Sequence, residues 1–323
     1  MIFAFPGQGS QFVGMGRGLY REFSAARQVF NEVDSILSKK LSNLIFEGPV
    51  EELIITKNAQ PAIMAVSIAT LRVMEYMFGR FPFPDCNVQY VCGHSVGEYT
   101  ALCAAGALTF ESAIKLLKIR SEAMHEASLK CKGGMVALLG ARINKIEDIL
   151  ESAKLGGVCE IANDNGNEQV VVSGTTDALD MLPSLFKNSS VRKLIKLEVS
   201  GPFHSSLMKP ADEKLLEFLR SITVARPLIP FVSNVTAKEE NDPKIIRELL
   251  AKQITSKVRW REMVLYMLSH NVNKFVEIGP NKILSNLVKR IDQSINIKNI
   301  NSVSDIKFFF NELLAMSIKK SNT

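Results

Sequence analysis

The sequence predicts an α/β protein, a body of alternating strands and helices interrupted mid-chain by a smaller ferredoxin-like unit. Three observations carry that expectation. Short apolar segments end in glycine-containing turns that open helical patterns, as at residues 2–9 and 88–97. Between residues 135 and 199 the periodicities run βαββαβ, the split βαβ arrangement. The chain has 323 residues, 46% hydrophobic and 22% charged, which is room for one large domain or two modest ones and rules out wholesale disorder.

Taken in order, residues 2–5 read as a buried strand stopped by Pro6, and a glycine-rich loop follows through Gly18. Helical periodicity covers 23–37. Another helix is expected from Pro61, a residue suited to a first turn. FPFPD at 81–85 links into a strand at 88–92, and the pattern turns helical from Gly97 and again from Thr109 to about Ser128. The inserted unit then reads as strand MVALLG, helix NKIEDILESAK, and strands VCEIAN and QVVVSG joined through Asp164-Asn165-Gly166. Helix TTDALDMLPSLFK and strand VRKLIKLEV complete it. The loop SGPFH, a helix to about Arg220, a strand near 229–233 and a helix around 243–253 come next. Strand KFVEIG and a last helix from Lys282 close the body, and the polar tail KKSNT is expected to fray. The division is therefore 1–131 with 200–323 for the large body and 132–199 for the insertion.

Composition narrows the function classes. The 39 Lys+Arg exceed the 33 Asp+Glu for a net charge of +6, but they are scattered. Nucleic acid demands denser basic patches, so no nucleic-acid partner is expected; the surplus either steers an acidic partner or has none behind it. Cys86, Cys92, Cys103, Cys131 and Cys159 form no CxxC pair, which suits reduced thiols in a cytosolic compartment, and no ligand spacing points to a metal. MIFAFPGQGS reaches Pro-Gly too soon for a signal peptide, and no uncharged apolar run approaches the roughly 18 residues of a membrane span. A cytoplasmic protein without membrane attachment is the expectation.

The strongest local signal is Gly93-His94-Ser95-Val96-Gly97, a G-x-S-x-G between an apolar strand and a helix. Small flanking residues let strand and helix approach closely, and a strained turn lifts the Ser95 hydroxyl to a helix N-terminus, where free N–H groups stabilise an anion. The alternative is a glycine-flanked turn without chemistry. A nucleophilic serine needs a base, and four histidines are available. His94 adjoins Ser95 and is expected to pack under the turn; His125 falls on a polar helix face; His270 reads as a capping or surface residue. His204, in a loop after a strand end, remains as the candidate base.

Helical geometry singles out Arg120, which projects from the middle of the apolar face formed by Ala113, Leu116, Leu117, Ala123, Met124 and Ala127. A buried guanidinium needs a partner: either a structural Asp or Glu, or a substrate carboxylate gripped bidentately. Gly7-Gln8-Gly9 fails as a dinucleotide fingerprint because Phe12 stands at the third glycine position, and no P-loop exists. Such a loop can still aim N–H groups at an oxyanion.

Together, FPGQGSQ at 5–11, GHSVGEYTA at 93–101, Arg120 in KIRSEAM, GPFHS and FVEIGP resemble the malonyl-CoA:acyl carrier protein transacylase family, over residues 2 to about 291, with none of the likeness in the C-terminal tail. The resemblance implies an α/β-hydrolase-like large subdomain with an inserted ferredoxin-like small subdomain. It implies Ser95 as the acylated nucleophile, His204 as its base, the N–H groups of Gln8 and Val96 as the oxyanion hole, and Arg120 on the malonyl carboxylate. Asn163 matches another pocket position, and Phe203 resembles malonyl-selective relatives. The family orients its histidine through a backbone carbonyl, here expected from Arg259 in the segment 257–260. Gly201-Pro202 in the histidine loop departs from the family pattern. Malonyl-CoA and acyl carrier protein are the implied partners of a monomer that needs no cofactor of its own. The rival readings are a serine thioesterase or esterase on the same turn, which ordinarily carries its histidine late in the chain, and a silent scaffold that only binds carrier protein.

Overall fold

The computed structural model describes residues 1–79, 81, 83 and 86–321, with side chains to residue 315. Two sheets organise it. The larger runs β10 (Asn296–Ile300), β9 (Lys274–Ile278), β1 (Ile2–Phe5), β2 (Tyr90–Gly93), β7 (Phe231–Val232) and β8 (Glu239–Glu240). Its pairings are parallel except β7 with β8. The central strands β1 and β2 are fully buried, as a parallel sheet covered on both faces requires. The smaller sheet has the order β4 (Cys159–Gly166), β5 (Gln169–Thr175), β3 (Gly133–Leu139), β6 (Lys193–Lys196), with every pairing antiparallel.

Register places the site. Phe5 at the end of β1 lies opposite Gly93 at the end of β2, so the loops that follow both strands emerge side by side. Crevices at the carboxyl ends of parallel strands are where open α/β sheets bind ligands. A third loop, after β9, is fixed by the buried Glu277 carboxylate, which accepts the N–H groups of Leu284 (3.0 Å) and Ser285 (2.8 Å) at the start of the helix Ile283–Ile291. That is the role of the glutamate in FVEIGP: an anion held at a helix N-terminus. The smaller sheet is tied down where Asp164 N–H donates to the Val258 carbonyl (2.9 Å) and Val258 N–H to Ala162 (2.8 Å), and where Arg261 pairs with the buried Asp164 carboxylate at 2.8 Å.

Several elements depart from the expected boundaries. The helix assigned to Pro61 begins earlier and spans Thr56–Phe78, with Pro61 inside it. By length and composition this helix could cross a membrane, but most of it is buried in the core, and Lys57, Arg72 and Glu75 interrupt it. Asp164-Asn165-Gly166 belongs to β4, and the β4–β5 turn falls on Asn167 and Glu168. TTDALDMLPSLFK divides into Thr176–Asp180 and Leu182–Leu185, because Pro183 starts a new helix rather than continuing one. The helix from Lys282 is not the last: β10 and the helix Val303–Ser321 follow, so the tail expected to fray is helical as far as Ser321. Asn322 and Thr323 lie outside the described residues, as do Pro82, Pro84 and Asp85 of the expected linker.

Candidate active site

The turn after β2 is built by backbone contact. A Cβ on Gly93 would lie 2.0 Å from the Gly97 carbonyl carbon, and one on Gly97 would lie 1.9 Å from the Phe5 oxygen. A Cβ on Gly7 would meet the His94 oxygen at 2.4 Å, so the first glycine loop and the serine turn also touch main chain to main chain. Ser95 takes φ 51° and ψ −103°, a left-handed strain that its surroundings impose. Val96 opens the helix Val96–Ala104, so its N–H has no intrahelical partner.

His204 also sits at positive φ, 58°, in the loop before the short helix Ser206–Met208. The departure at Gly201 has a cause: a Cβ there would lie 1.9 Å from Ser128 Oγ. The imidazole is buried, with Nε2 2.8 Å from Ser95 Oγ and Nδ1 2.9 Å from the Gln253 carbonyl. An Nδ1–H donating to that carbonyl leaves the Nε2 lone pair facing the serine hydroxyl, the tautomer a base requires. Burial first, and the Arg120 charge second, lower the His204 pKa to about 3, so the ring is neutral in the resting site.

Arg120 is fully buried in the helix Phe110–Lys130. Its Nη1 donates to Gln60 Oε1 at 2.8 Å, and Nη2 donates both to Gln253 Oε1 and to Ser95 Oγ at 2.9 Å. Among the described residues no carboxylate forms a salt bridge with it. Tyr99 places its ring 5.5 Å beneath the guanidinium. Among the described residues its direct hydrogen bonds thus go to neutral oxygens, Ser95 Oγ included, and Glu98 acts on it as a charge without contact.

A cavity of about 370 Å³ brings Gln8, Ser95, Arg120, Asn163, Phe203 and His204 together. Asn163 reaches it from β4, where the register shifts after Ile161, and Phe203 from the histidine loop. Two expectations fail. Arg259 does not orient His204: it precedes the helix Trp260–Ser269, where its carbonyl accepts Met263 N–H at 2.9 Å and its side chain pairs with Glu262. Gln253 supplies the orienting carbonyl instead, just past the helix Pro243–Lys252, and that oxygen also accepts the Ser256 N–H at 3.3 Å. His94 also lines the cavity rather than packing under the turn, with Nε2 2.8 Å from Asn165 Oδ1, because the strained turn breaks strand alternation. His125 and His270 are exposed as expected.

Sequence reasoning missed Gln253, Glu98 and Asn234. Asn234 accepts Ser95 N–H on Oδ1 and donates Nδ2–H to the Gly93 carbonyl, each at 2.7 Å, clamping the turn from the end of β7. Its signal was slight: an uncharged Asn directly after a buried strand.

The acyl transferase domain family matches residues 2–308. The chain is 41% identical over 323 residues to the malonyl CoA-acyl carrier protein transacylase of Bacillus subtilis (strain 168), covering 100% of this chain and 98% of that one. It is 36% identical over 302 residues to the Escherichia coli (strain K12) protein of the same name, covering 94% and 96%. The crystal structure of an acyl-carrier-protein-S-malonyltransferase from Bartonella henselae superposes with a TM-score of 0.91 at 42% identity, over 97% and 98% of the two chains. A malonyl-transacylase in complex with a type II PKS acyl-carrier protein gives 0.89 at 34%, over 94% and 97%. The likeness thus extends beyond residue 291, into the C-terminal segment expected to lack it. With the family matched over nearly the whole length, the chain belongs to the acyl transferases, in the family of malonyl CoA-acyl carrier protein transacylases.

Proposed function

We propose that this chain moves the malonyl group from malonyl-CoA to the phosphopantetheine thiol of acyl carrier protein, through a malonyl ester on Ser95. The observation that carries the reading is that one hydroxyl, Ser95 Oγ, lies within hydrogen-bond reach of both the base His204 and the buried cation Arg120. The names of the relatives, and the carrier-protein complex among them, support the same substrates.

In the first half-reaction Ser95 Oγ attacks the thioester carbonyl carbon while His204 Nε2 takes its proton. The N–H groups of Gln8 and Val96 face the developing oxyanion, each worth about 3 kcal/mol by analogy with other such donors. The C–S bond breaks, and the coenzyme A sulfur leaves with the proton from Nε2. The second half runs in reverse: His204 accepts the carrier thiol proton, sulfur attacks the ester carbonyl, and Ser95 recovers its proton. Arg120 grips the distal carboxylate, with Asn163 and Phe203 as further pocket contacts. A carboxylate taking the Nη2 donor releases the Ser95 lone pair and offsets the charge that depresses His204. Malonyl binding then favours the chemistry as well as the association.

The same reading takes the larger sheet as an α/β-hydrolase-like body (1–131 and 200–323) and residues 132–199 as an inserted ferredoxin-like subdomain. The order β4-β5-β3-β6 supports the second assignment. The scheme needs no metal or bound cofactor, and the enzyme is taken as a cytoplasmic monomer. The test is to incubate the chain with labelled malonyl-CoA and digest it. Label on the Ser95 peptide, discharged by carrier protein faster than by water, is expected; label elsewhere overturns the assignment. Equally fast discharge by water favours a thioesterase.

A further inference from the structure

Ser95 and Glu98 stand three residues apart at the start of a helix, the spacing of a capping box, in which the serine hydroxyl and the glutamate carboxylate cap each other's backbone N–H groups. Neither bond forms. The Ser95 hydroxyl makes no cap contact and is committed to His204 and Arg120. The Ser95 N–H goes to Asn234 Oδ1, and the fully buried Glu98 carboxylate accepts the Asn234 N–H at 2.8 Å on Oε1 and Gln253 Nε2–H on Oε2. A local helix cap has been opened into a network between nucleophile and cation.

Gln253 is its pivot. Its carboxamide donates to Glu98 and to the Ser95 carbonyl (3.0 Å) and turns its oxygen to Arg120 Nη2 (2.9 Å). The flipped amide would set NH2 against guanidinium, and oxygen against both the carbonyl and the carboxylate. A charged acceptor holds the first orientation more strongly than a neutral carbonyl can. We propose that Glu98 is a positioning residue for acyl selectivity: its carboxylate fixes the Gln253 carboxamide, and through it the Arg120 guanidinium, at the nucleophile. Within the same buried region Glu98 is also the negative charge that faces Arg120, with Tyr99 and Cys92 the other titratable groups that feel it. The role rests on the transacylase reading above and deepens it.

The test compares malonyl-CoA with acetyl-CoA as donors for wild type and Glu98→Gln, at a pH well above 7, where the wild-type carboxylate carries its charge although burial lifts its pKa to about 7. The variant keeps the shape and its single oxygen for Asn234, and so sets an NH2 against the Gln253 NH2 where the charged acceptor stood. The malonyl-CoA KM is expected to rise about tenfold with kcat changed less than about threefold, and acetyl transfer to change less than about threefold. Equal losses for both donors, or an unchanged preference, overturn the proposal. Gln253→Met, which retains the backbone carbonyl for His204, should lose the same preference, and the double variant should lose no more than either single one. If Glu98→Gln does not fold, Gln253→Met decides alone: an intact malonyl preference overturns the role. Wild type that forms no malonyl-Ser95 adduct sinks the transacylase reading; an adduct with undiminished selectivity in the variants sinks only the role of Glu98.

Discussion

Arg120 Nη2 lies 2.9 Å from Ser95 Oγ, so the cation proposed to bind the malonyl carboxylate also donates to the proposed nucleophile. Arg120→Ala is therefore expected to separate the two donors. Malonyl transfer should fall about 10- to 100-fold relative to acetyl transfer, the worth of a charged hydrogen bond, while acetyl transfer is largely kept. Initial rates with both donors measure this, and equal losses would make the arginine structural.

His204→Ala removes the only imidazole that contacts the Ser95 hydroxyl among the described residues. Formation of the malonyl ester should slow by about 10²- to 10⁴-fold, read by rapid quench with excess malonyl-CoA. His94→Ala lines the same cavity without touching Oγ and bonds Asn165, so its effect should be far smaller. A comparable collapse for His94→Ala would reassign the base.

What the sequence made legible here follows from chemistry that marks residue identity. Ser95 was visible because only glycine fits where Gly93 and Gly97 touch main chain, and Arg120 because a charge interrupts an apolar helix face. The carbonyl that orients His204 left no such mark, since every residue carries one. Arg259 precedes a helix whose Met263 N–H takes its carbonyl, and only the fold turns the Gln253 carbonyl towards the imidazole. β10 escaped notice because NIKNI, on the sheet edge, buries only Ile300 fully and reads as a polar loop. Glu98 was hidden because a short-range cap accounts for Ser-x-x-Glu equally well, and only the fold brings Asn234 and Gln253 to it.

Two buried groups give stability an opposed pH dependence. His204 has a folded pKa of about 3 against an ordinary 6.5, so between those values the unfolded chain holds a proton that the native site refuses. Its contribution to stability is intact above pH 6.5 and is lost as pH falls towards 3, by on the order of 1 kcal/mol per pH unit. Glu98 runs the other way: burial lifts its pKa from 4.5 to about 7, so its contribution grows as pH falls from 7 to 4.5. Burial also raises the pKa of Asp164 and Glu277 and lowers that of His94, so the diagnostic is the difference in urea midpoint between wild type and His204→Ala between pH 4.5 and 6.5. His204→Ala should gain stability relative to wild type as pH is lowered through that window. A difference between the two proteins that does not change with pH would mean the imidazole is not held neutral.

Gly97→Ala tests whether the serine turn depends on main-chain contact. Gly97 has no positive φ to satisfy, so an alanine there meets no conformational penalty of its own. Its methyl would sit 1.9 Å from the Phe5 oxygen, 2.8 Å from the Phe5 carbonyl carbon and 3.0 Å from the Pro6 oxygen, all of them backbone atoms of β1 and its exit. Backbone in a central parallel strand cannot step aside as a flexible side chain can, so helix and strand must separate. That costs about 1–3 kcal/mol of overpacking. The displacement carries Ser95 away from His204, whose loop is anchored on a different helix through Gly201 and Ser128. Denaturant midpoint and malonyl-ester yield should fall together for Gly97→Ala. Gly14→Ala meets no atom within 4 Å but holds φ 93°, so it should lose stability through strain alone and still acylate. Full acylation by Gly97→Ala would show that strand and helix tolerate the wider spacing, and that the glycine is there for another reason.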